Sequence, residues 1–423
     1  MKSKSKLTTA VICSVVLVLV LHVTLTSFVD RIWFSETITC DRSNVYDLCE
    51  INGLALLEPI TTTFFSMDPT NLIMTPPSSF IKTRPYPRKM DKTAMSRVKE
   101  LTLSSALPDV WCGVTHDSPA VVFSTGGYTG NFFHEFMDGF IPLYITFNSI
   151  FLNHHQDDVI LLITDYKDWW SRKYEELLAH FSRHPIINMD NENLTHCFPS
   201  VIVGLISHGP MIINPKLLPH PKTLVDFRAI LQNAYSQDPD EIPSSQRPRL
   251  ALVNRNAKVG RMIMNLEEVI KTAKEVGFDV TIFEPTRNTS LVESFKLIHA
   301  SHAMLGVHGA ALTNFLFLRP GSVLMQVVPI GTQWLSDTYF RNPARVLGLE
   351  YLEYKIKAEE SSLAERYGAN DTVLTNPKAF SRGNWKHMHL YLKTQNVNFD
   401  KVKLKRYLKN AYRKAKIFMD KES

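Results

Sequence analysis

Short apolar runs alternate with stretches of helical period along most of this chain. AVVFS (120–124) has the pattern of a strand, 131–146 that of a helix, VILLIT (159–164) a strand, 169–181 a helix and SVIVGLI (200–206) a strand. Runs this short and this uniformly apolar fit strands covered on both faces, and their alternation with helices predicts parallel βαβ units. The polar stretch QDPDEIPSSQRP (237–248) carries three prolines and is expected as an exposed link. The alternation then resumes. LALVN (250–254), VTIFEP (280–285), HAMLGV (302–307) and SVLMQVV (322–328) are expected strands, with helices over 265–276, 290–300 and 310–318 between them. Asn265 with Glu268 three residues on has the form of a capping box. The closing segment sets Leu404, Tyr407, Leu408, Ala411, Ala415 and Phe418 on one face of a helix. The expected architecture is α/β, with two Rossmann-like domains over 101–240 and 249–398. A stem and lead-in over 29–100, ending in the Pro-rich 76–89, precede them, and a basic helix over 399–423 follows.

The N-terminus adds an anchor to this picture. Lys2, Lys4 and Lys6 precede residues 7–28, which contain no Asp, Glu, Lys or Arg and are followed by no small-residue cleavage site. An uncleaved transmembrane helix over 7–28 is expected, with 1–6 as cytoplasmic tail and the remainder in the lumen, a single-pass type II arrangement. The span is short and interrupted by His22, Thr24 and Thr26, which suits a thin early-secretory membrane. Cys13 falls inside it. Cys40, Cys49, Cys112 and Cys197 form an even lumenal set able to make two disulfides, and the short Cys40–Cys49 loop is the easiest of the three pairings to close. Asn193, Asn288 and Asn370 head glycosylation sequons.

Composition excludes one large class of partner. The net charge of +6 arises in 401–423, where nine Lys/Arg face two acids; the rest is close to neutral and lacks a basic patch interleaved with aromatics, so nucleic acid is set aside. The basic face of the last helix is expected to be solvated, with acidic polysaccharide or membrane as the alternative.

Three constellations carry the chemistry. In STGGYTGNFFHEFMDGF, Gly126, Gly127 and Gly130 follow a strand and lead into a helix. At 100° per residue Asn131, His134, Glu135 and Asp138 share one arc of about 100°, opposite Phe132, Phe133, Phe136, Met137 and Phe140. A stripe of groups that accept protons and bind hydroxyls, at the C-terminal end of a strand, points to the ligand crevice of an open α/β sheet. Gly127 and Asn131 are the expected acceptor-side contacts. In LGVHGAALTN, a strand gives way to His308, Gly309 and Ala310 at a helix start, where bare N–H groups suit a diphosphate; His308 could add a hydrogen bond or a charge, and Thr313 and Asn314 follow a turn later. In VNRNAKVGRMIMN, Arg255 and Arg261 would meet the same crevice, with guanidinium forks suited to phosphate. No metal site is expected: the D-x-D triplet Asp238-Pro239-Asp240 falls in the link, and zinc spacings, G-x-S-x-G and P-loop strings are absent.

GGYTGNFFHEFMDGFIPLYIT and GVHGAALTNFLFLRPGSVLMQVVP, in that order and together with CDRSNVYDLC, SPAVVFS and ISHGPM, resemble the plant members of glycosyltransferase family 61 over about 40–397. The resemblance implies inverting, Golgi-resident transfer on a GT-B-like fold, from a UDP-sugar and without a D-x-D metal. On it rests the expectation of xylose transferred from UDP-xylose to a xylan backbone in cell-wall xylan biosynthesis, with α-1,3-arabinofuranosyl transfer next and an N-glycan or protein acceptor for xylose or N-acetylglucosamine third. Partners would be the polysaccharide, the Golgi membrane and a Golgi glycosyltransferase complex. Glu135 or Asp138 would be the base, with His134 orienting it or the sugar. The rival from another class is a catalytically silent polysaccharide-binding protein of the same fold.

Overall fold

A computed structural model describes residues 38–67, 80–106, 108–152, 157–236, 245–255, 260–368 and 370–422. The tail, the anchor over 7–28, Cys13 and the Asp238-Pro239-Asp240 triplet lie outside the described residues. Among those described, no helix is long and apolar enough to cross a membrane.

Two sheets organise the chain. The first contains β1 (Ile38–Arg42), β2 (Asp47–Glu58), β3 (Thr63–Ser66), β4 (Phe80–Thr83), β5 (Leu101–Ser104), β6 (Val114–Thr115), β7 (Ala120–Ser124), β8 (Ile160–Thr164), β9 (Ile187–Asn188) and β10 (His196–Val203). Its main order is β4-β5-β3-β2-β10-β7-β8-β9. The span β10-β7-β8-β9 is parallel, and β2 joins it antiparallel to β10. The second sheet, β11 (Arg249–Val253), β12 (Asp279–Phe283), β13 (Ala303–Val307), β14 (Val323–Val328) and β15 (Glu350–Lys355), is parallel throughout in the order β12-β11-β13-β14-β15. Relative to chain order this is 2-1-3-4-5, a doubly wound arrangement with its switch point between β11 and β13. Every residue of β7, β8, β13 and β14 is buried, as their continuous apolar runs require.

The expectation of a stem over 29–100 fails for its described part. Residues 38–66 and 80–104 supply β1 to β5, half of the first sheet. The alternation in DLCEINGLALLE buries Cys49, Ile51, Ala55 and Leu57 against the back of that sheet. Cys40 pairs with Cys49 across the β1–β2 hairpin, and Cys112 with Cys197. The loops these close span 9 and 85 residues, and the longer one ties the segment before β7 to the start of β10.

Helix α1 follows β7 in three parts: Phe132–His134, a π-helical Glu135–Phe140 and Ile141–Ile150. The expected helix over 169–181 is divided into Asp168–Lys173 and Glu175–Leu178. Helix α2 (Leu224–Tyr235) begins at a Thr223–Asp226 capping box, worth about 1 kcal/mol. The box expected at Asn265 is not formed. At the start of α3 (Leu266–Val276) the Asn265 amide instead bonds Glu268 and both backbone groups of Phe399, anchoring the C-terminal segment. Helix α4 (Leu291–His299) leads to β13, and Ala310–Phe317 is a 3-10 helix rather than an α-helix. Helix α5 (Lys401–Glu422) buries Leu404, Leu408, Ala411, Ala415 and Phe418 as its period requires, while Lys405 and Lys414 pair with Glu275 and Glu350.

One apolar cluster runs through both halves, joining Phe136 and Phe140 to Phe295, Phe315 and Phe317. Tyr235 of α2 meets Phe317 at 5.9 Å between ring centres, and Arg228 donates to the Leu347 carbonyl at 2.8 Å. The two halves are therefore joined through packed helices, and the first turn of α1, after β7, packs on the 3-10 turn after β13.

Candidate active site

On the first half, the site is built under α1. The π-helical turn breaks the 3.6-residue period, so the arc expected for Asn131, His134, Glu135 and Asp138 divides. Asn131 is spent on capping, its Oδ1 accepting from the Phe133 N–H at 3.1 Å. Glu135 turns inward and is 4% exposed; its two oxygens accept from the Gly130 N–H and the Trp170 indole N–H, each at 2.6 Å. Asp138, 3% exposed, lies behind His134, its Oδ2 2.8 Å from His134 Nδ1 and 2.9 Å from the Tyr86 hydroxyl, its Oδ1 3.4 Å from Arg88 Nη1. A carboxylate so placed accepts the Nδ1–H and leaves Nε2 as the basic ring nitrogen, which takes no partner among the described residues. The His134 ring is partly exposed beneath Tyr128 at 4.6 Å.

Tyr86 and Arg88 come from the Pro-rich 76–89, read from sequence as the end of a stem. In RPYPR each proline sits at the centre of a tight turn, the Tyr86 N–H bonding the Arg84 carbonyl at 2.8 Å and the Arg88 N–H the Tyr86 carbonyl at 2.9 Å, and these turns aim Tyr86 under α1. A Tyr between two prolines and next to an Arg was the available signal. Gly127 makes room for it: its φ is +55°, and a Cβ there would lie 2.4 Å from the Tyr86 ring. Gly127 thus supports the site from below rather than contacting an acceptor. Gly127→Ala should lower stability by about 3 kcal/mol, from the left-handed backbone and the overpacking together, and should be visible in thermal melts.

Burial raises the Glu135 pKa to about 7, against its two hydrogen bonds. Between about pH 4.5 and 7 the folded chain holds this proton more tightly than the unfolded chain, so stability contributed by the protonated carboxyl is lost as pH rises. The loss is of order 3 kcal/mol. In Glu135→Gln the melting temperature should lose that part of its slope across this interval.

On the second half, the switch point between β11 and β13 gathers cations. Gly309, at φ 151°, passes so close to Arg255 and Arg261 that a Cβ would lie 2.8 Å from a terminal nitrogen of each. Arg261 Nη1 donates to the His308 carbonyl at 2.8 Å. Among the described residues, Arg255 Nη1, Arg261 Nε and Thr313 Oγ1 are buried with no hydrogen-bond partner. Burial and then Arg255 lower the Arg261 pKa to about 9. A buried and a half-buried guanidinium side by side, with unsatisfied donors and an orphaned hydroxyl, call for an anion, and a diphosphate fits the donor set. Partial burial and the same two arginines lower the Lys393 amine, a third cation that sequence reasoning missed.

His308 supplies a hydrogen bond here and not a charge. It is 5% exposed, and burial with Arg261 and Arg255 holds its pKa well below the usual value. Tyr351 donates to Gln326 Oε1 at 2.7 Å, which turns Gln326 Nε2 toward His308 Nδ1 at 2.9 Å; the Ser336 hydroxyl lies 3.2 Å from the same nitrogen. With Nδ1 accepting, Nε2 carries the proton. Ala310 is half-buried beside Gly309, whereas Asn314 is buried and donates to the Ala311 carbonyl at 2.7 Å, so it braces the 3-10 turn.

The two groups face each other through aromatic rings. Phe133, beside His134, lies 5.0 Å from Tyr339 and 6.0 Å from Phe340, and Phe340 stands edge-on to His308 at 5.1 Å. Tyr339 and Phe340 lie in a second π-helical segment, Asp337–Arg341. A proton acceptor on one side and a cationic cradle on the other suit displacement of a phosphorylated leaving group by a hydroxyl. Asn193, Asn288 and Asn370 are all exposed. Among the described residues, no group of three or more His, Cys, Asp or Glu is placed to hold a metal ion.

Comparison with known proteins bears on this site directly. A family model described as Glycosyltransferase 61 matches residues 130–325, which run from Gly130 through both groups to β14. The chain is 35% identical over 403 residues to a xylan glycosyltransferase of Arabidopsis thaliana, covering 90% of this chain and 80% of the relative. It is 32% identical over 384 residues to a beta-1,2-xylosyltransferase of Oryza sativa subsp. japonica, covering 85% and 81%. An alpha-1,3-arabinosyltransferase of the same rice is 35% identical over 370 residues, covering 85% of this chain and 62% of the relative.

Proposed function

We propose that this chain, which belongs to glycosyltransferase family 61 and is a glycosyltransferase using a nucleotide-sugar donor, transfers xylose from UDP-xylose to a xylan backbone in β-1,2 linkage, with inversion, in the Golgi lumen. The observation that carries the reaction is the pairing of His134 on Asp138 opposite two arginines with unsatisfied donors, Arg255 Nη1 and Arg261 Nε. His134 Nε2 takes the proton of the acceptor hydroxyl as its oxygen attacks the anomeric carbon. Asp138 holds the imidazolium that forms. UDP departs from the opposite face, its developing charge met by Arg255, Arg261 and the Nε2–H of His308. This moves the base from Glu135 or Asp138 to His134, because both carboxylates are buried with their oxygens engaged.

The choice of xylan and xylose rests on the relatives, among which the rice beta-1,2-xylosyltransferase is matched over most of its length. The arabinosyltransferase, equal in identity to the first relative, favours α-1,3-arabinofuranosyl transfer as the second reading. The charge-free stretch 7–28 supports a single N-terminal anchor, and two disulfides with exposed sequons suit an oxidising, glycosylating lumen. The test is transfer by the full-length chain in detergent to xylo-oligosaccharides from a panel of UDP-sugars, with linkage and anomeric configuration read by NMR. A β-1,2-xylosyl product is expected. An arabinosyl product would replace the first reading with the second, and transfer to no xylan would remove both.

A further inference from the structure

Two large indoles stand in the open beside this site. Trp334 is 49% exposed and Trp385 58%, and their rings meet edge to face at 5.8 Å. Isolated exposed apolar side chains are ordinary, but two adjacent tryptophans leave a large apolar area uncovered. The row continues inward. Trp334 lies 6.3 Å from Tyr339, Tyr339 5.0 Å from Phe133, and Phe133 5.4 Å from His134. Burial raises the pKa of the half-buried Tyr339 phenol, and the charges on Arg88 and Asp138 act on it in opposite directions. A row of aromatic rings in contact therefore leads from solvent to the His134 ring.

The row is held rigidly. Trp334 lies in the turn Gln333–Ser336, whose Ser336 hydroxyl bonds His308 and whose Gln333 amide donates to Glu353 at 2.9 Å. Trp385 opens the turn Trp385–His389, capped by Asn384 Oδ1 on the Lys386 N–H at 2.9 Å. The indole faces are also left free of cations. Arg287 covers Trp169 at 3.7 Å, whereas among the described residues no Arg or Lys stacks on Trp334 or Trp385.

We infer that Trp334 and Trp385 form an acceptor subsite that stacks on the pyranose faces of a neutral, β-linked polysaccharide chain whose reacting unit lies at His134. The inference rests on the proposed glycan acceptor. Its occupant follows from continuity with the site and from chemistry: axial C–H groups of a β-linked pyranose carry partial positive charge and match the negative face of an indole. The arginines proposed to hold the donor diphosphate lie at the switch point between β11 and β13, whereas the row of rings leads from the two tryptophans to His134 on the acceptor side.

Trp334→Ala and Trp385→Ala in the full-length chain test this through acceptor length. In the unmodified chain KM should fall as xylo-oligosaccharides grow from about two units to about six. Each variant should raise KM for the long acceptor about tenfold and leave KM for the short acceptor, kcat and the hydrolysis of UDP-xylose unchanged. A KM independent of length in the unmodified chain, or equal losses on short and long acceptors, would overturn it. If no xylan is used, retention of the same proteins in gels containing neutral β-linked glucans, mannans or galactans decides the matter. Retention lost in both variants supports the subsite, and retention that is absent or unchanged by them refutes it.

Discussion

Arg261→Met should raise the melting temperature of the free protein while removing most of the stabilisation that UDP confers. Arg261 is 7% exposed beside Arg255, with its Nε lacking a partner, so in the absence of an anion it is an uncompensated buried charge. Replacing such a group by an apolar side chain of similar volume is neutral or favourable to folding, here by about 1 kcal/mol. The same substitution deletes charge-assisted bonds to the diphosphate worth about 1.5–3 kcal/mol, which weakens UDP roughly 100-fold. UDP at a hundred times its dissociation constant adds about 2.7 kcal/mol to the unmodified protein, and at that concentration adds about 0.4 kcal/mol to the variant. Melting curves with and without UDP separate the two effects. A variant that loses stability in the absence of nucleotide and keeps its response would mean that Arg261 is structural.

His134→Ala should lower kcat by about 10²- to 10⁴-fold, the usual contribution of a positioned base, with UDP affinity unaltered. The Asp138 carboxylate would survive this change, still held by Tyr86 and Arg88. A carboxylate that acted directly would therefore retain activity in the variant. Added imidazole should restore part of the lost rate, and the limb of the kcat/KM profile that reports the base should disappear. Asp138→Asn is the complementary change: it leaves His134 in place but removes the acceptor that fixes its tautomer, so a smaller fall in kcat is expected.

The second sheet was legible because β11, β13 and β14 are continuous apolar runs, covered on both faces, and need no context to be recognised. The meeting of Gly309 with Arg255 and Arg261 at its C-terminal edge was legible too, since all three lie in segments between a strand and the following helix. The first half was less so, for identifiable reasons. A helical wheel assumes one period, and the π turn from Glu135 to Phe140 places Glu135 under Trp170 and Asp138 behind His134. Proline-rich composition suggested a spacer over 76–89, yet the prolines there fix the approach of Tyr86 and Arg88 to Asp138. The strands β1 to β5 were hidden because a partly exposed antiparallel strand such as β2 lacks the unbroken apolar run of β7. Trp170, Gln326 and Ser336 carry no motif; only their tertiary positions beside Glu135 and His308 mark them.

The central claim is that acceptor activation resides on the first half and leaving-group stabilisation on the second. Steady-state kinetics of the unmodified chain, His134→Ala and Arg261→Met, with UDP-xylose and a xylo-oligosaccharide varied in turn, tests it most directly. The expected result is a kcat lowered at least 100-fold with unchanged donor KM for His134→Ala, and a donor KM raised at least tenfold for Arg261→Met. If His134→Ala keeps its kcat, or if both variants alter only the donor KM, the division of roles between His134 and Arg261 is wrong.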